Sequence, residues 1–114
     1  MLTNYKKGII AEQKAALYLQ NKGHVILEKR FKTPYGEIDL ISKDGPVFVF
    51  TEVKQRPTHA QAAHALTATQ KKRLQNASLV YTQTIQGTKP CRFDVVLLDR
   101  HQNSTHIQNV IWDE

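Results

Sequence analysis

A single cysteine, Cys91, stands among 114 residues. No disulfide can staple this chain internally, and a reducing interior is the expected setting. Cys91 reads as an ordinary strand-edge residue. No run approaches the ~18 consecutive apolar residues of a membrane-spanning helix. The N-terminus has no apolar signal-type stretch either, since Lys6 and Lys7 lead directly into a mixed segment. The expected location is the cytoplasm, with no membrane partner. Internal repeats and low-complexity linkers are absent, so residues 1–114 read as a single domain with one core. The five histidines show no ligand spacing with cysteine or acidic neighbours. That argues against zinc, and they read as surface or boundary residues.

Positive charge, in contrast, is in excess. There are 16 Lys and Arg against 10 Asp and Glu, for a formal charge of +6 and a pI near 9.6. Such an excess favours a polyanionic partner, nucleic acid above all, held through salt-dependent phosphate contacts. Lys29, Arg30 and Lys32 precede the most acidic segment of the chain, and Lys71, Lys72 and Arg73 lie in a second helical segment. Any one such cluster is commonly just a solubilising face. Only in combination with an acidic centre do they argue for phosphodiester chemistry.

That centre is Gly36-Glu37-Ile38-Asp39-Leu40-Ile41, followed by Thr51-Glu52-Val53-Lys54. Asp44-Gly45 between the two runs is a hairpin signal, so the runs are expected to pair antiparallel. Alternation puts Glu37, Asp39 and Ile41 on one face and Glu52 with Lys54 on one face. It leaves Ile38, Leu40, Val49 and Val53 to bury the other side. Asp39 should then lie opposite Phe50 or Glu52, with direct or diagonal neighbours about 5–8 Å apart at Cβ, close enough for two carboxylates to share a cation. A hard divalent ion, Mg²⁺ or Mn²⁺, accepts such oxygen ligands. Lys54 would sit beside it, placed to orient a water or to stabilise negative charge on a phosphate. A merely solvated charged face would show the same short alternation.

Glu12 weighs against the solvated face. Periodicity predicts a helix from Asn4 to Lys22 with Ile9, Ala15, Ala16 and Leu19 on an apolar stripe, and Glu12 falls within that stripe. An inward carboxylate needs a partner, and the acidic cluster with its metal, or Lys54, is the expected one. A stripe-edge residue snorkelling to water, or a plain salt bridge to Lys54, would fit the same pattern. Gly23 then caps the helix, a strand is expected over His24–Phe31, and Thr33-Pro34-Tyr35-Gly36 turns into the acidic hairpin, which Pro57 ends. Ala60–Leu66 reads as a loose turn or early helix. A second helix is expected over Thr67–Gln83, with Thr67 as N-cap and Leu74, Ala77 and Tyr81 inward. Arg92–Leu98 reads as a buried strand and Thr105–Trp112 as a last one, so the order is αβββαβ plus a short strand.

Gly8, Glu12, Ala15 and Leu19 in the first helix, Gly23 after it, the run from Gly36 to Ile41, Glu52-Val53-Lys54 with Arg56, Lys71, and Arg92-Phe93-Asp94-Val95 together carry a family resemblance. The chain resembles the YraN-like family of small bacterial proteins. That family is similar to archaeal Holliday junction resolvases and to the wider PD-(D/E)XK nuclease superfamily. The resemblance implies an α/β, restriction-endonuclease-like core, a mixed sheet flanked by helices, with Asp39, Glu52 and Lys54 at the superfamily's active-site positions. Glu12 matches the helix-one glutamate of the resolvase branch.

For activity, the resemblance implies a Mg²⁺-dependent endonuclease acting on DNA phosphodiesters, structure-selective, with Asp39, Glu52 and the Val53 carbonyl on the metal. Arg56 joins the basic clusters along the nucleic acid. A non-catalytic nucleic-acid-binding accessory protein that keeps the nuclease fold is the alternative. A four-way junction has two scissile strands, so a resolvase-like role calls for a two-fold homodimer. Exposed apolar residues of the last strand, or Phe31 and Tyr35, are its candidate interface. Two departures stand out: Thr51 where the family usually has Val, and Arg30-Phe31-Lys32 where it usually has Asn-x-Arg. Thr51 alternates away from Glu52, so its effect is expected on packing and not on the site.

Overall fold

A computed structural model of the chain describes residues 2–57, 66–87 and 89–111. The Thr3 hydroxyl oxygen accepts the Lys6 N–H at 3.1 Å, satisfying one of the free amides at a helix start, and α1 runs Asn4–Asn21. Gly23, at φ +97°, turns the chain out of α1 in a conformation that a Cβ disfavours. Strands β1 (Val25–Thr33), β2 (Gly36–Asp44) and β3 (Val47–Gln55) come next. Gly45, at φ +59°, makes the tight reversal between β2 and β3, which pair antiparallel as the Asp-Gly signal predicts. Helix α2 (Ala68–Thr82) starts at a capping box: Thr67 Oγ1 accepts the Gln70 N–H and Gln70 Oε1 accepts the Thr67 N–H. Strands β4 (Cys91–Leu98) and β5 (Ser104–Ile107) come last.

The sheet order is β1-β2-β3-β4-β5, with β3 and β4 parallel and the other neighbours antiparallel. A parallel pair needs a long crossover, and α2 lies in it. This is an α/β fold with a mixed five-stranded sheet and two helices, compatible with a restriction-endonuclease-like core. Ala15, Ala16 and Leu19 of α1 pack on Leu40 and Val96. Leu74 and Ala77 of α2 pack on Ile38, Ile41, Phe50 and Phe93 on the other face. No helix among the described residues is long and apolar enough to cross a membrane.

Burial on both faces corrects the expectation of a hairpin with one buried side. Ile38 and Ile41, three positions apart, both reach the α2 cluster, while Leu40 packs on α1. Strict alternation would have put Ile38 with Leu40. The last strand is also shorter than expected, because Asn109 takes φ +59° and the Val110 N–H returns to the Phe93 carbonyl at 2.8 Å. Trp112 and the segment 58–65 lie outside the described residues, and with them most of the turn expected over Ala60–Leu66.

Of the histidines expected at the surface or boundary, His24 is buried instead, while His106 is half-buried as a residue with its ring turned inward, each side chain 2% exposed. Each ring has a bonded nitrogen, His24 Nδ1 to Ser42 Oγ at 2.8 Å and His106 Nε2 to Asp94 Oδ2 at 2.7 Å, while His106 Nδ1 finds no partner among the described residues. His59 and His64 lie outside the described residues.

Candidate active site

β1 and β2 pair through Lys29↔Leu40 and Phe31↔Ile38, skipping Arg30 and Asp39 between them. Arg30 takes φ +55°, a left-handed conformation that costs a residue with a Cβ about 1–2 kcal/mol. From there its guanidinium reaches two carboxylates, with Nη1 at 3.4 Å from Glu12 Oε1 and Nε at 3.7 Å from Glu37 Oε1. It also lies 5.1 Å from the centre of the Tyr5 ring, within cation–π range. On the other side of β2, the ladder to β3 ends at Leu40↔Thr51. Val53, the next β3 residue whose N–H faces β2, donates instead to Asp39 Oδ2 at 2.8 Å. The Asp39 side chain stands in for a ladder bond, which anchors it.

These two irregularities gather charge. Glu12 from α1 and Glu37 and Asp39 from β2 offer oxygens that all lie within 4.8 Å of one another. Burial, and then the Asp39 charge, push Glu12 up from 4.5 to about 7, against the pull of Arg30. Burial likewise raises Asp39 above its ordinary value, with the Val53 N–H opposing and the Glu37 charge adding. Glu52 on β3 is pushed up to about 7 by burial and by Asp39, while Lys54 pulls it down. Lys54 Nζ stands 3.5 Å from Glu52 Oε2, with the two side chains 15% and 18% exposed. Oxygens opposite each other around Mg²⁺ are separated by about 4.2 Å, given bonds of about 2.1 Å. A spread of 4.8 Å lies a small side-chain shift from that, so Glu12, Glu37 and Asp39 fit such an ion.

The structure therefore brings Glu12 to Asp39 and pairs Glu52 with Lys54, all expected site residues. Glu37 was on the expected acidic face without a role, and its i, i+2 spacing from Asp39 was the available signal. Arg30, expected on a phosphate path, instead faces Glu12 and Glu37. Nothing local announces its left-handed backbone, which Gly, Asn or Asp would have signalled. Val53 meets Asp39 through its N–H. Lys29 and Lys32 are exposed on β1 at the sheet edge, Lys72 and Arg73 are exposed on α2, and Lys71 is half-buried there. Arg56 Nη1 donates to the Gln55 carbonyl at 2.8 Å. Phe31 is spent largely on the core, edge-on to Tyr81 at 5.3 Å, whereas Tyr35 is exposed.

A second network explains Arg92-Phe93-Asp94. Asp94, fully buried, accepts from Arg92 Nε and Nη2 at 3.0 Å each, from His106 and from the Asn109 N–H. Burial alone would raise its pKa, but the His106 and Arg92 bonds outweigh it and hold the carboxyl below 3.8. Arg92 Nη1 also reaches Asp44 Oδ2 at 3.2 Å, tying β4 to the β2–β3 turn. Phe93, between them, faces the α2 cluster.

Residues 11–98 match the profile of the uncharacterised protein family UPF0102. The chain belongs to the UPF0102 family. It is similar to the UPF0102 protein of Nitrosomonas eutropha (strain DSM 101675 / C91 / Nm57), 36% identical over 111 residues and 96% of each chain. The UPF0102 protein of Rhodopseudomonas palustris (strain BisA53) is 37% identical over 105 residues, 90% of this chain and 81% of its own. That of Thermodesulfovibrio yellowstonii is 38% identical over 103 residues, 89% of this chain and 91% of its own. The span matched to UPF0102 takes in Glu12, Glu37, Asp39, Glu52 and Lys54 together with the Arg92–Asp94 pair.

Proposed function

We propose that this UPF0102 chain is a metal-dependent endonuclease acting on DNA phosphodiesters, structure-selective in the manner of a Holliday junction resolvase. The observation that carries this reading is the gathering of the Glu12, Glu37 and Asp39 oxygens within 4.8 Å, beside the Glu52–Lys54 pair. Holding carboxylates together costs about 1.4 kcal/mol per unit of pKa shift, and a plain binding surface has no physical need for it. Mg²⁺ or Mn²⁺ on these oxygens would supply Lewis-acid polarisation of a phosphate and a more acidic water.

The chain's own groups account for the rest. Asp39 is held in place by the Val53 N–H, and Glu12 and Glu37 would join it in holding the metal, with Glu52 and the Val53 carbonyl as further candidate ligands. The Lys54 ammonium orients the attacking water and offsets charge developing on the phosphate. Lys29, Lys32, Arg56, Lys71, Lys72 and Arg73 contact flanking phosphates. Two scissile strands in a four-way junction call for a homodimer, acting on DNA in the cytoplasm.

One observation favours the second reading, a non-catalytic nucleic-acid-binding accessory protein: the Arg30 guanidinium already offsets charge between Glu12 and Glu37. Incubating the purified protein with four-way, single-stranded and duplex DNA in Mg²⁺, Mn²⁺ or chelator separates the two. The nuclease reading expects metal-dependent cleavage, strongest on branched DNA and lost in Asp39→Asn. Salt-sensitive binding without cleavage in any metal would leave the accessory protein, and no binding at low salt would remove both.

A further inference from the structure

Tyr35 stands at the β1–β2 turn with 52% of its surface exposed, where a large aromatic ring gains little from burial. It shares a concavity of about 430 Å³ with Ala68, Thr69, Lys72, Arg73 and Asn76 of α2. Thr69, Lys72, Arg73 and Asn76 recur at i, i+3, i+4 and i+7, so a single helix face turns a hydroxyl, two cations and an amide toward this tyrosine.

Arg73 links this concavity to the carboxylates. Gly36 opens β2 at φ +129°, and a Cβ placed on it would stand 2.9 Å from Arg73 Cδ. The missing side chain is what lets Arg73 lie across the turn. Arg73 also lines the narrow gap that contains Glu37 and Glu52. A group held between Tyr35 and Lys72 is thus one side chain away from the acidic centre.

We propose that this concavity is a subsite for one unpaired nucleotide of a DNA strand, with Tyr35 stacking on the base and Lys72 and Arg73 holding its phosphate beside the carboxylates. The inference rests on the nuclease reading and deepens it, because it makes an unstacked nucleotide next to the scissile position the feature that is recognised. Branch points and single strands offer such a nucleotide, whereas continuous duplex must first flip one out. The volume lies within the ~300–1,000 Å³ of small-ligand sites. An aromatic platform flanked by cations is the combination that holds single strands, since every base has a face to stack and every nucleotide a phosphate. Thr69 and Asn76 add donors and acceptors that can meet a base edge.

The test measures binding of labelled single-stranded, four-way and duplex DNA at low salt in chelator, which separates binding from cleavage. Tyr35→Ala should weaken single-strand and junction binding by about tenfold and leave duplex binding within about twofold, while Tyr35→Phe keeps the stacking ring and the affinity. A wild-type protein that binds DNA while Tyr35→Ala changes nothing, or weakens all three DNAs equally, overturns the subsite and leaves the nuclease reading standing. A shift from dimer to monomer in Tyr35→Ala with unchanged DNA affinity overturns it in favour of a subunit contact. Failure of the wild type to bind any of the three DNAs overturns both readings.

Discussion

Asp39 Oδ2 accepts the Val53 N–H at 2.8 Å, just beyond the last β2–β3 rung at Leu40↔Thr51. A side chain here replaces a strand's backbone bond, so the carboxylate is fixed by the fold whether or not a cation is near. Asparagine can accept the same hydrogen bond through its amide oxygen. Asp39→Asn therefore removes charge with little change of structure, which makes it the substitution of choice for testing the proposed metal site.

Stability without metal depends on pH through Glu12 and Glu52, both at about 7 in the folded protein against an ordinary 4.5. The folded state binds more protons than the unfolded state between those values, so these groups cost nothing in acid and their penalty grows as pH rises through the window. His24, held below 6.5 chiefly by burial, slopes the other way. Comparison with Glu12→Gln isolates the carboxylate. In chelator, the variant should gain melting temperature over wild type from about pH 5 to pH 8. A constant difference would mean that Glu12 does not titrate in this range.

Divalent metal should reverse that penalty. Millimolar Mg²⁺ or Mn²⁺ is expected to raise the melting temperature, because a ligand bound only by the folded state stabilises it. The rise should be larger at about pH 8 than at about pH 6, where protons compete for the same oxygens. Asp39→Asn should abolish it. A wild-type melting curve blind to metal at both pH values would count against the site.

Lys54 separates catalysis from structure. If its ammonium stabilises the transition state, Lys54→Ala should lower the cleavage rate by orders of magnitude with little change in DNA affinity. A lysine that serves only as the partner of Glu52 would show itself differently, by a fall in melting temperature as a buried carboxylate loses its cation. Cleavage at the wild-type rate by purified Lys54→Ala would remove this residue from the mechanism.

Thr51 offers a test of packing alone. Its side chain is fully buried, and Oγ1 finds no hydrogen-bond partner among the described residues. Thr51→Val keeps the shape and removes the unpaired hydroxyl, for an expected gain of about 1 kcal/mol or roughly 4 °C in melting temperature. Cleavage should not change, since Thr51 alternates away from Glu52. A loss of stability would reveal a partner for the hydroxyl.

Signals that act locally are legible in the sequence. Thr67 caps α2, Gly23 ends α1, and Asp44-Gly45 sets the β2–β3 reversal, because each depends on atoms within a few residues. The buried histidines are not legible in the same way, because histidine alone does not say whether it will find a partner. His106 depends on Asp94 and His24 on Ser42, both distant in sequence.

The sequence by itself determined the two helices, the first four strands, the antiparallel acidic hairpin and the presence of carboxylates on it, since periodicity and turn chemistry are carried by neighbouring residues. Only the tertiary structure decided which charges meet. Glu12 faces Arg30 and not Lys54 because α1 docks on Leu40 and Val96 and because Arg30 leaves the regular strand conformation opposite Asp39. The angle of a helix on a sheet is the sum of many small contacts spread over the chain, and no short stretch of residues encodes it.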